Sequence, residues 1–162
     1  MPGVYLSIGS NIDRERNIRT ALAEIRDLFG NCTLSSVYET DAIGFEGPPF
    51  YNLTIHFHTD APVLEIAKML REIEIRHGRT RKSAKFSGRT LDLDILLYGD
   101  LIFNDKQIQI PRDDILRYAF VLEPLAEIAP EKRHPVTHES FAMLWDKFDK
   151  TGLGQKKIKT PW

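Results

Sequence analysis

The sequence predicts an α+β fold, a ferredoxin-like plait with the order β-α-β-β-α-β and C-terminal helical and hairpin additions. Three observations carry that prediction. Four segments read as strands: Val4–Gly9, Cys32–Thr40, Phe50–His58 and the apolar run that ends at Tyr98. Two segments repeat apolar residues at helical spacing, Ile18-Leu22-Ile25-Phe29 and Val63-Ile66-Ala67-Leu70-Ile73. Each helical segment falls between two of the strands, the first after strand one and the second after strand three.

In the first strand Val4, Leu6 and Ile8 are the core-facing set, because alternate strand residues share a face. Gly9-Ser10-Asn11 then reads as a tight turn, with Asn11 or Asp13 as helix cap. Small residues there would also let backbone N–H groups approach a ligand. Gly30-Asn31 closes the first helix. Leu34, Val37 and Tyr38 mark the second strand. A Gly/Pro loop from Asp41 to Pro49 follows. In the third strand Leu53, Ile55 and Phe57 alternate with Asn52, Thr54, His56 and His58. Asp60-Ala61-Pro62 reads as a cap with Pro in the first turn of the second helix, which ends near Gly78. Further on, Ile102-Phe103 and Gln107–Ile110 suggest a small hairpin around Asn104-Asp105. Tyr118–Ala129 reads as a short helix bounded by Pro124 and Pro130, Ser140–Phe148 as a last helix, and 151–162 as a basic tail.

The chain has 162 residues, a length that suits one domain over 1–162 with an ordinary core. Net charge is −1, which gives no global attraction to nucleic acid or membrane. The single Cys32 has no partner for an internal disulfide and fits a reducing cytoplasm. No apolar run approaches the ~18 residues needed to span a bilayer, and no signal peptide is expected at the N-terminus.

The chemistry concentrates in Gly88-Arg89-Thr90-Leu91-Asp92-Leu93-Asp94-Ile95-Leu96-Leu97-Tyr98. On a strand, Asp92 and Asp94 point one way and Leu91, Leu93 and Ile95 the other, with the carboxylates roughly 6–7 Å apart. They read either as surface aspartates on an edge strand or as ligands of Mg²⁺ carrying a nucleotide's phosphates. Immediately upstream, 76–89 holds six basic residues (Arg76, Arg79, Arg81, Lys82, Lys85, Arg89) and no acidic one. That loop is a solvated charged segment, a nucleic-acid patch or a lid that closes on polyphosphate; its junction with the aspartates favours the lid. Asn52, Phe50 and the distant Phe120 are core residues or a pocket for a flat heterocycle, the amide reading its polar edge and the rings its faces. His56 and His58 lack a third ligand, so no zinc site is expected.

With these residues in hand, the chain resembles the 6-hydroxymethyl-7,8-dihydropterin pyrophosphokinases. The resemblance rests on Tyr5-Leu6-Ser7-Ile8-Gly9-Ser10-Asn11, Tyr51-Asn52-Leu53, Gly78-Arg79-Thr80-Arg81-Lys82, Arg89-Thr90-Leu91-Asp92-Leu93-Asp94-Ile95, Ala119-Phe120-Val121-Leu122-Glu123-Pro124-Leu125 and Ile128-Ala129-Pro130. It implies a ferredoxin-like plait that moves a diphosphoryl unit from ATP to a pterin hydroxyl, leaving AMP. It implies two Mg²⁺ at Asp92 and Asp94, with Arg79 and Arg89 on phosphates in a catalytic role. Arg81 and Lys82 would assist from the lid, and Phe86 would cover the site. Glu74, Ile95 and Arg112 would lie at the ATP. Thr40, Ile43, Phe50, Asn52 and Phe120 would form the pterin pocket. Both substrates are small molecules, and the expected protein is a cytoplasmic monomer that binds neither nucleic acid nor membrane. Family members often carry His where this chain has Arg112 and Arg where it has Tyr118. A diverged pterin-binding paralogue with weak ATP chemistry and a nucleic-acid-binding module are the competing readings.

Overall fold

The computed structural model describes residues 1–42, 46–78 and 90–162. The elements run β1 (Gly3–Ser10), α1 (Arg14–Phe29), β2 (Thr33–Leu34), β3 (Val37–Thr40), β4 (Phe50–His58), α2 (Val63–Arg76) and β5 (Asp92–Tyr98). After them come β6 (Phe103–Asn104), β7 (Gln109–Ile110), α3 (Asp114–Arg117), α4 (Ala119–Ile128), α5 (Phe141–Lys147) and β8 (Gln155–Ile158). The main sheet has the order β5-β1-β4-β3-β8, with β2 also paired to β4, and β6 and β7 form the separate hairpin. Every pairing is antiparallel. The predicted plait is present, with β1 an inner strand between β5 and β4.

The two faces of the sheet differ because strand side chains alternate. Val4, Leu6 and Ile8 of β1, with Ile55, Phe57, Leu93 and Ile95, pack against Ile18, Leu22 and Ile25 of α1 and Ile66, Leu70 and Ile73 of α2. The opposite face carries a second cluster, in which Leu96 and Leu97 meet Ile115, Val121, Leu122, Leu125 and Phe141. Two consecutive leucines share a cluster because the β1–β5 register shifts between Tyr5 and Leu6, an irregularity that sends both toward the same side. Helices α4 and α5 pack on part of this second face; beyond them it carries the site, where Ser7, Thr40, Asn52 and Thr54 are buried and Asp92 and Asp94 are partly exposed.

Several local expectations are corrected. The strand expected over Cys32–Thr40 is two strands. Leu34 pairs with Ile55 and Tyr38 with Asn52, which leaves one extra residue on this side. Ser35 fills the break, its N–H donating to the Thr54 carbonyl at 2.8 Å and its hydroxyl accepting from the Thr54 N–H at 2.9 Å. Gly9 and Ser10 are strand residues, not a turn. Asp13 precedes α1 in a left-handed conformation (φ 46°) and makes no side-chain cap bond; its carboxylate pairs with Arg16 at 2.6 Å. Before α2 the boundary residue is Pro62, and Asp60 does not cap. Pro124 lies inside α4. The basic tail contains β8, whose backbone pairs Gln155–Ile158 with Val37–Thr40.

A polar tie at its C-terminal end fastens α4 to the sheet. Glu127 accepts hydrogen bonds from the Tyr38 hydroxyl (2.6 Å) and from the N–H and hydroxyl of Ser36 (both 2.9 Å). Partial burial alone would raise the Glu127 pKa, but these donors outweigh it and hold the carboxyl below its ordinary 4.5. A folded-state value below the unfolded one stabilises the fold at all pH above the unfolded value and is lost as pH falls through the folded one. Glu127→Ala is thus expected to cost about 1 kcal/mol in urea unfolding at pH 7, with the gap to the parent protein narrowing at pH 3.

Candidate active site on the open face of the sheet

The site is a consequence of register. Gly9 of β1 faces Asp92 on one side and Asn52 on the other, and Asn52 in turn faces Tyr38. In the next row Ser7 faces both Asp94 and Thr54. Directly paired residues share a face, so Asp92, Asp94, Gly9, Asn52 and Thr40 all lie on the side opposite α1 and α2, with Asn52 and Thr40 buried there. Leu91, Leu93 and Ile95 are buried on the other side, as the alternation predicts. Strands sit ~4.8 Å apart, so the carboxylate row and the Asn52 row are about 10 Å apart across the β1 backbone. That distance accommodates a ring at one end and a phosphate chain at the other.

Gly9 makes this floor possible. A Cβ on Gly9 would meet the Asn52 side-chain oxygen at 2.6 Å, closer than any ordinary contact. The Asn52 carboxamide therefore lies over the Gly9 backbone. Its Nδ2 donates to the Thr40 hydroxyl at 2.7 Å, which fixes the orientation of the amide. Phe50 is half-buried opposite Thr40 at the mouth of the strand. On α4, Phe120 stacks on Tyr118 with ring centroids 5.1 Å apart. A cleft of about 300 Å³ opens beside Thr40 and Phe120, with Asp41, Arg117, Tyr118 and Gln155 among its walls. Neither Asn52 nor Phe50 lines it, so this cleft adjoins the ring-sized surface.

At the other end, Asp92 and Asp94 are partly exposed side chains on the edge strand β5. Two neighbouring carboxylates without a nitrogen or sulfur ligand suit Mg²⁺ that brings phosphate oxygens and water of its own. Among the described residues no group of three or more His, Cys, Asp or Glu could enclose a metal. The donor set thus fits a shared, substrate-completed Mg²⁺ site. Arg112 stands beside it, with Nη2 3.7 Å from the Asp94 carboxylate and Nε 3.0 Å from Asp114. Glu74 accepts from the Leu93 backbone N–H at 2.9 Å along the outer edge of β5. Ile95 packs into the core, 7% exposed, on the face away from the aspartates. Arg79, Arg81, Lys82, Phe86 and Arg89, with Ile43 at the other end, lie outside the described residues.

Two contributors escaped sequence reasoning. Arg14 donates to the Pro49 carbonyl at 3.0 Å, pairs with Glu39 at 2.9 Å and lies over the Tyr51 ring at 3.6 Å. Asn11, expected as a cap, donates its side-chain amide to the Pro48 carbonyl at 3.1 Å. Together they hold the turn that delivers Phe50 and Asn52. The second contributor is the tail. The Asp41 N–H donates to the Gly154 carbonyl at 3.1 Å, and Gln155 Nε2 reaches Glu123 at 2.7 Å. No local signal in the sequence marked either.

Residues 5–130 match the sequence profile of the family described as 7,8-dihydro-6-hydroxymethylpterin-pyrophosphokinase (HPPK). The 2-amino-4-hydroxy-6-hydroxymethyldihydropteridine pyrophosphokinase of Bacillus subtilis is 35% identical over 137 residues, which is 82% of this chain and 81% of that protein. The protein of the same name from Aquifex aeolicus is 33% identical, covering 84% of this chain and 86% of its own. The folic acid synthesis protein fol1 of Schizosaccharomyces pombe is 33% identical over 92% of this chain, which spans 21% of that longer protein. A crystal structure of Plasmodium falciparum HPPK-DHPS with pterin and p-hydroxybenzoate matches 97% of this chain at TM-score 0.73 and 15% identity. This chain spans 46% of it, and the likeness is one of fold.

The Gly9–Asn52 contact gives a direct test. Gly9→Ala must displace the carboxamide, so the Asn52 side-chain NH₂ resonances are expected to shift, with a stability loss of about 1–3 kcal/mol. Unmoved Asn52 resonances in a folded variant would show that the amide does not lie over Gly9.

Proposed function

The chain belongs to the 7,8-dihydro-6-hydroxymethylpterin-pyrophosphokinase family, and from that premise we propose that it transfers diphosphate from ATP to 6-hydroxymethyl-7,8-dihydropterin in folate biosynthesis. The pterin hydroxyl oxygen bonds to the β-phosphorus, the bond from that phosphorus to the α–β bridging oxygen breaks, and AMP leaves with the bridging oxygen. The hydroxyl proton is released. The observation that supports this most is the single sheet face carrying Asp92 and Asp94 in register with Gly9 and Asn52.

Each residue then has a physical task. Asn52, oriented by Thr40, hydrogen-bonds the polar edge of the pterin, and Phe120 and Phe50 flank its faces, with Ile43 at the border. Asp92 and Asp94 hold Mg²⁺, two ions in this reading, whose charge offsets that of the triphosphate. Arg79 and Arg89 contact phosphates, and Arg81 and Lys82 assist. Arg112 adds a guanidinium beside Asp94, and Glu74 and Ile95 border the nucleotide, Ile95 through its backbone. In such a site positioning and charge neutralisation supply most of the rate. We take residues 1–162 as one domain that acts as a monomer in the cytoplasm. No described helix is long and apolar enough to cross a membrane.

The test is AMP formation from ATP. It is expected only when Mg²⁺ and the hydroxymethyl-dihydropterin are both present; equal AMP release without the pterin, or none with it at high enzyme concentration, would sink the proposal. Asp92→Ala and Asp94→Ala should each lower the rate on the order of a hundredfold or more while thermal unfolding stays close to that of the parent protein.

A further inference from the structure

Arg112 is held in place by three constraints that do not involve a ligand. Its backbone N–H donates to the Leu96 carbonyl at 3.1 Å, so the turn after Pro111 lies against β5. Its Nε is fixed by Asp114 at 3.0 Å. What remains of the guanidinium fork is aimed at Asp94, with Nη2 3.7 Å from Oδ1. Both partners are about one-third exposed, 35% and 36%, so the pair faces the open side of the sheet. The guanidinium is charged at any relevant pH. Burial works against that charge, but Asp94, Asp114 and Asp92 together raise its pKa further.

A permanent cation beside a carboxylate has two consequences. It lowers the attraction that the carboxylate offers to a second cation. It also attracts phosphate, for which a guanidinium fork is well shaped. We propose that Arg112 is an exchangeable counter-ion of Asp94, which opposes a divalent cation at the aspartates until nucleotide phosphate draws the guanidinium away, and so couples metal binding to nucleotide binding. This rests on the reading of Asp92 and Asp94 as Mg²⁺ ligands. Asp114 is the pivot: it keeps Nε in place while the Nη groups change partner. By linkage, the factor by which nucleotide strengthens metal binding equals the factor by which metal strengthens nucleotide binding.

The experiment measures binding, not turnover. Mn²⁺ is titrated into the full chain and followed by electron paramagnetic resonance, with and without α,β-methylene-ATP, which cannot release AMP. For Arg112→Gln, Mn²⁺ alone is expected to bind roughly fivefold tighter, and the enhancement by nucleotide to shrink by a similar factor. Arg112→Lys keeps the charge and is expected to stay near the parent protein for Mn²⁺ alone. Circular dichroism checks both folds, and Arg112→Ala, which also removes the charge, carries the same comparison if the glutamine variant does not fold. Arg112→Gln that binds Mn²⁺ no tighter than the parent, or that keeps the full nucleotide enhancement, overturns the coupling. A different result, Mn²⁺ binding with nucleotide that is indifferent to Asp94→Asn, overturns the metal reading itself and the coupling with it.

Discussion

The register of β1 is the constraint on which the rest depends. Val4, Leu6 and Ile8 are completely buried, and burying three aliphatic side chains stabilises one placement of this strand by several kcal/mol (about 1.5–3 each). That placement sends Ser7 and Gly9 to the opposite side. The pairing then carries the same division outward to β4 and β5, putting Asn52 and the two aspartates on the open face. A slip of one residue in β5 would turn both carboxylates into the core and Leu93 and Ile95 into water. The hydrophobic face thus holds the polar face in place, and the site needs no separate scaffold.

How much of this could be read in the chain depended on whether the signal was local. The βαββαβ order was legible because each strand and helix announces itself by its own period. The Asp92/Asp94 pair was legible for the same reason, since alternation alone puts Leu93 on the other face. The break at Ser35-Ser36 was not, because a one-residue bulge leaves the β-forming residues around it unchanged. Strand β8 was missed because Gln155-Lys156-Lys157-Ile158 is an edge strand with exposed lysines. Its pattern reads as a charged tail, and its stability comes from pairing with β3. Pro124 misled in the other direction: as the sixth residue of α4 it lies in the second turn, where its missing N–H removes one bond to the carbonyl four residues back, yet α4 continues through it.

At the site, residue types were legible and relationships were not. Asn52 is a plausible heterocycle partner from sequence, but the Thr40 hydroxyl that orients it and the Gly9 backbone beneath it are fixed by pairing over tens of residues. Arg14 is an ordinary helix-start arginine until the chain folds. Its three simultaneous contacts then make it the clasp of the Pro48-Pro49 turn. Arg112 looked like a departure at the nucleotide end; the fold sets it against Asp94.

The inner position of β1, between two strands distant in sequence, also bears on how the chain reaches this state. Residues 3–10 form an inner strand of the sheet, yet their partners are residues 50–58 and 92–98. The helices can form early from local contacts, but the strand that organises both faces acquires its neighbours only when distant segments return to it. Such high contact order slows folding toward the millisecond-to-second range. It also makes assembly cooperative, because no stretch shorter than about the first hundred residues contains β1 with both of its neighbours. The carboxylate end and the heterocycle end of the site are then acquired together, when one strand finds two partners.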